Sequence, residues 1–145
     1  MRQAKRITFI FFSVVLLVAS LCHAVSAVEL SPRASDYLSG YGAALYQGTV
    51  KGSVRLEFTV SATEYSDYVG VSELIIYKSD GSRAATITGT VSNGLLREDC
   101  KLHMGDYFYY GEPGVSYYAI VTMYAERDGG SDSRRYITNT CTAPS

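Results

Sequence analysis

Three kinds of residue in this chain have the types needed for chemistry, and each falls short of a site by spacing. General acid–base work near neutral pH, nucleophilic catalysis and metal chemistry all need partnered groups. The chain has two histidines, His23 and His103. His23 falls in an N-terminal leader described below, so Ser-His-Asp chemistry would have to run through His103. No Gly-x-Ser-x-Gly nucleophile elbow accompanies it. An isolated histidine on a strand reads as an outward polar residue. Cys100, Cys141 and His103 are too dispersed for a zinc site. Asp128-Gly129-Gly130-Ser131-Asp132 has the residue types of a calcium loop. It occurs once and lacks EF-hand spacing, so it reads as a hairpin loop over 128–133. Glu98-Asp99 reads as a solvated turn. These residues predict no enzyme, no catalytic residue, no metal and no cofactor. Carboxylates that meet only on folding leave a glycosidase-type site as the remaining catalytic reading.

Tyrosine supplies a more promising surface. All 13 tyrosines lie beyond residue 27, with Phe58 and Phe108 beside them and no tryptophan in the chain. Tyrosine suits a half-buried pleated surface and brings a polar tip. A strand over 116–125 would turn Tyr117, Ala119, Val121 and Met123 inward. Tyr118, Ile120, Thr122 and Tyr124 would then face outward, an unusually apolar row for a solvated face. Tyr136 and Thr138 on the last strand, and Ile75 or Tyr77 on the third, are expected beside it. Tyr118, Tyr124, Tyr136 and Tyr77 are therefore the candidate binding residues. A cover over that row, by the lead-in segment, a loop or a second copy, is the alternative.

The elements that must position these residues begin after a leader. Arg2, Lys5 and Arg6 precede an almost unbroken apolar run from Ile7 to Leu21, closed by Val25-Ser26-Ala27. That order is a secretory signal peptide over residues 1–27, too short and too close to its small-residue exit for a stable membrane span. It predicts a secreted, extracellular protein. Leu21 before Cys22 argues against a lipid anchor. Taking away the leader's three basic residues leaves 118 residues with 10 Lys+Arg against 14 Asp+Glu, a net charge near −4. That balance disfavours nucleic acid and anionic membrane as partners.

Residues 28–36 read as a lead-in and 37–145 as one domain. Leu38 to Tyr46 is a strand candidate. Over 53–62, Val54, Leu56, Phe58 and Val60 alternate with Arg55, Glu57, Thr59 and Ser61, the period of a strand with one buried face. Further strands are expected over 71–78, 83–91, 101–110, 116–125 and 134–141, with a hairpin at Ser79-Asp80-Gly81-Ser82. Residues 92–99 carry no clear pattern. Seven strands without a helix predict an all-β, antiparallel sandwich.

The stretch from Tyr110 to Asn139, with Pro113-Gly114 before Tyr117 and alternation to Ala125, resembles the last two strands of a fibronectin type III domain. The resemblance implies an immunoglobulin-like sandwich with Tyr117 as corner tyrosine, its hydroxyl bonding back across the turn. The chain departs from that family in having no tryptophan, and Phe58 is expected to fill the volume. The whole chain also resembles small secreted bacterial proteins, on Pro32-Arg33-Ala34-Ser35-Asp36-Tyr37 and Gly-Gly-Ser-Asp-Ser-Arg. Neither resemblance supplies a ligand. In such a sandwich Cys100 and Cys141 fall at opposite poles, roughly a ~20 Å strand length apart, which disfavours a disulfide. The expected function is a secreted binding or adhesion module for an extracellular protein or glycan. The alternatives are a structural, self-associating protein with the same face as a homo-oligomer interface, and, third, a small hydrolase.

Overall fold

The computed structural model describes residues 35–145. The leader over 1–27 and most of the lead-in lie outside the described residues. Seven strands follow in order: β1 (Leu38–Gln47), β2 (Ser53–Lys78), β3 (Arg83–Thr88), β4 (Leu96–Tyr110), β5 (Ser116–Arg127), β6 (Gly130–Ile137) and β7 (Cys141–Thr142). All pairings are antiparallel, as the alternating sequence predicted. Among the described residues no helix is long and apolar enough to cross a membrane.

The organising element is β2, which runs for 26 residues where two separate strands were expected. Its first half pairs with β1 and β4, and its second half with β5, β3 and the start of β4. One strand therefore serves two sheet halves, β1-β2-β4 and β3-β2-β5-β6. Its inward set shifts along the way. Val54, Leu56, Phe58 and Val60 are buried, then Val69 and Val71, then Leu74 and Ile76. Each change of parity follows an irregularity in the ladder, one between Ser61 and Ser66 and one between Val71 and Glu73. An extra residue at such a point bends the strand and turns the following side chains over.

The two halves close on one apolar core. Tyr117, Ala119, Val121, Met123 and Ala125 of β5 are all fully buried, as the alternation requires. Tyr109 of β4 meets Tyr117 edge-on at 5.5 Å between ring centres. Phe58 lies in the core at 4% exposure. His103 is the exception to its expectation. It sits opposite Val60 on the inward face and is 7% exposed. Its ring packs edge-on to Phe58, and its Nε2 donates to the Gly94 carbonyl at 2.8 Å.

The loop expected over 128–133 is a two-residue turn. Asp128 and Gly129 both have positive φ, 53° and 77°, the type I′ pattern that matches strand twist. Asp67 accepts the Asp128 N–H at 2.9 Å. β6 therefore starts at Gly130, paired with Arg127. Cys100 and Cys141 are unbridged. Cys100 stands opposite Ser66, whereas Cys141 stands beside Tyr117, itself opposite Lys78. That is a path of ~40 Å along β2, against the ~7 Å a disulfide spans.

Asn139, a residue no pattern singled out, closes β1. Its Oδ1 accepts the Leu45 N–H at 2.9 Å and its Nδ2 donates to the Leu45 carbonyl at 2.8 Å. One side-chain amide thus satisfies a strand edge as a neighbouring peptide would. Asn139→Ala is expected to lower stability by ~1–3 kcal/mol, because both Leu45 groups lose their partners. A urea midpoint measures the loss, and faster hydrogen exchange at the Leu45 amide locates it.

Candidate functional site

The register places two of the four predicted tyrosines together. Tyr77 pairs with Tyr118 across β2 and β5. Their rings stack at 5.3 Å with 11° between planes. The Arg83 guanidinium lies 5.9 Å from the Tyr77 ring centre, within cation–π range. The next rung along the face is Ile75–Ile120–Ile137, three isoleucines opposite one another on β2, β5 and β6. Ile75 is 8% exposed yet lies outside the core cluster, so its neighbours on the outer face cover it. Ile137, at the end of the rung, is 66% exposed.

Tyr124 shares this face, six residues along β5 from Tyr118, or ~20 Å. Its hydroxyl donates to Glu126 at 2.5 Å. Burial, and then this bond, hold the Tyr124 hydroxyl above the usual tyrosine range. Its polar tip is already engaged, and it stands apart from the stacked pair.

Tyr136 does not belong to this face. It pairs with Val121, and residues directly opposite in an antiparallel ladder point to the same side. Tyr136 packs against the core and meets Tyr41 of β1 edge-on at 6.4 Å. Thr138 is buried as well, and its Oγ1 accepts the Ala119 N–H at 2.9 Å. The Asp128-Gly129 turn sets the register. Pairing Arg127 with Gly130 fixes every later rung and carries Tyr136 to the core side. Arg135 and Ile137 take the outward places.

The outer face of β1-β2-β4 holds a second feature, which the sequence did not single out. Its rungs read Tyr46–Arg55–Phe108, Ala44–Glu57–Asp106, Gly42–Thr59–Met104 and Gly40–Ser61–Leu102. The β1 positions of three rungs are Gly40, Gly42 and Ala44, so that side of the face lacks side-chain bulk. A groove of about 610 Å³ results, floored by Gly42, Ala44 and Thr59 and flanked by Tyr46, Met104 and Asp106. Tyr46, Phe108 and Met104 are 47%, 43% and 67% exposed. Arg55 bonds Glu57 at 2.5 Å and lies 5.9 Å from the Tyr46 ring centre. Among the described residues the Asp106 carboxylate and the Thr59 hydroxyl have no bonding partner. Glu57 and Asp106 are cross-strand neighbours, a juxtaposition of like charge that a sheet does not favour for its own stability. The alternation of β2 predicted Arg55, Glu57 and Thr59 as outward. The pairing with β4 that brings Asp106 beside Glu57 spans nearly fifty residues and carries no local signal.

No protein-family model and no curated protein matches the chain. Among solved structures, it overlaps a family 76 glycoside hydrolase from a bovine Bacteroides thetaiotaomicron strain. The overlap has a TM-score of 0.42 at 14% identity and covers 74% of this chain. It covers 21% of the hydrolase, so the chain corresponds to about a fifth of that protein. At that score the overlap assigns neither a fold family nor an activity.

Proposed function

We propose that this protein is a secreted, extracellular binding module that offers the outer face of β2 and β5 to a protein partner. The observation that carries the reading is the stacked Tyr77–Tyr118 pair beneath Arg83, set beside the Ile75–Ile120–Ile137 rung. Tyrosine and arginine dominate protein interfaces because they bring large contact area together with a polar end. Stacking holds the two rings before any partner arrives, which reduces the ordering cost of binding. The surface is the face of a sheet, a shape suited to a macromolecular partner. A fibronectin type III-like sandwich belongs to the same reading. Its support is the bond that Tyr117 makes across its turn.

The test is binding of the purified protein to immobilised extracellular matrix proteins and mucins, beside a Tyr77→Ala/Tyr118→Ala double variant. Saturable binding that falls at least tenfold in the variant is expected. A folded wild-type monomer that binds none of them counts against the reading. Self-association is the second reading, favoured by the exposure of Ile137 at the end of its rung. Sedimentation would then show a dimer that Tyr118→Asp dissociates.

A further inference from the structure

We infer that the groove over β1, β2 and β4 binds a neutral oligosaccharide chain. This site is separate from the tyrosine face and does not depend on a protein partner there. The volume, about 610 Å³, lies within the ~300–1,000 Å³ typical of ligand clefts. Its chemistry matches the two-sided character of a sugar ring. The apolar C–H face of a pyranose packs on an aromatic ring, and Tyr46, which lines the groove, is half-exposed, with Phe108 on the same rung beyond Arg55. The hydroxyls around the ring edge need acceptors and donors in the groove wall. Asp106 and Thr59 supply these without partners of their own, and Glu57 stands beside Asp106. Hydroxyl-to-carboxylate bonds are charge-assisted and short, which makes two adjacent carboxylates an effective grip on neighbouring hydroxyls.

Other ligand classes fit less well. Two carboxylates against the single Arg55, already paired to Glu57, disfavour an anionic polymer. A basic peptide would compete for the Tyr46 ring, which faces the Arg55 guanidinium. It would also find no main-chain ladder, because the β2 backbone in the groove floor is paired on both sides, to β1 and to β4. Asp106 is exposed and the Glu57 side chain is 44% exposed, so both carboxylates are open to a sugar's hydroxyls.

Calorimetric titration of the purified protein with hexasaccharides of glucose, mannose and N-acetylglucosamine, and with hexalysine, tests the inference. At least one neutral hexasaccharide should bind saturably and lose at least tenfold in affinity in Asp106→Ala and in Tyr46→Ala. Hexalysine should stay silent, and Tyr77→Ala/Tyr118→Ala should bind the sugar as wild type does. Both groove residues are exposed, so unchanged urea midpoints are expected and separate lost binding from lost folding. The inference is overturned if none of the hexasaccharides binds at millimolar concentration, or if binding survives both groove substitutions. Saturable binding of hexalysine alone also overturns it and reassigns the groove to basic peptides.

Discussion

Gly70→Ala should destabilise the domain by on the order of 4 kcal/mol or more, the range reached when backbone strain and overlap combine. Gly70 is buried in the middle of β2 with φ at 146°, a conformation L side chains rarely adopt. A Cβ there would lie 2.1 Å from the Leu95 carbonyl oxygen and 3.0 Å from the His103 ring. Neither neighbour is free to withdraw. The Leu95 carbonyl accepts the Val71 N–H at 2.7 Å, and His103 is wedged against Phe58. The close approach occurs where the segment between β3 and β4 crosses β2. The same crossing brings Gly89 so near that its N–H donates to Ser72 at 2.8 Å. A domain of this size has ~5–15 kcal/mol in total, so the variant should unfold at a far lower urea concentration. A wild-type midpoint for Gly70→Ala would show that the crossing is not held this tightly.

Tyr117 carries the second large expected effect, and two substitutions divide it. The side chain is fully buried, and its ring meets Tyr109 edge-on. Its hydroxyl accepts the Glu112 N–H at 2.7 Å, across the turn that leads into β5. Tyr117→Ala removes the ring and leaves a cavity between the sheet halves, at a cost of ~3–5 kcal/mol. Tyr117→Phe keeps the ring and strips one backbone N–H of its partner, at a cost of ~1–2 kcal/mol. Urea midpoints for the pair separate packing from the corner bond. Equal stability of wild type and Tyr117→Phe would mean that water replaces the hydroxyl without loss.

The strands themselves were largely legible. β5 reads correctly residue by residue, because one buried face imposes period two on a strand that lies between two neighbours. The first half of β2 does so for the same reason. What misled was continuity and register. Ser66, Val69, Val71 and Leu74 do not keep one parity, so β2 looks like two strands separated by a polar break. Bulges conceal its continuity, since an odd number of extra residues, three between Ser61 and Ser66 and one between Val71 and Glu73, moves the hydrophobic set to the other parity. Tyr136 lies on the core side because it pairs with Val121, a cross-strand register that nothing beside Tyr136 in the chain announces. Asp128-Gly129 alone makes the turn, and Gly130 to Ser133 already belong to β6.

His103 shows the same division on a single side chain. A histidine between Leu102 and Met104 gives no local reason to face inward. It does so because β4 pairs with β2 in a register that puts His103 opposite Val60, leaving Leu102 and Met104 exposed. The chain by itself determined the all-β class, the buried face of each regular strand and the inward turn of Tyr117, since these follow from local alternation and turn chemistry. The tertiary structure alone decided that Tyr77 stacks on Tyr118, that Tyr136 packs against the core and that Glu57 meets Asp106 over a glycine-floored groove. Those outcomes depend on cross-strand register between segments far apart in the chain, and register is set by bulges and turns whose consequences appear only when the strands pair.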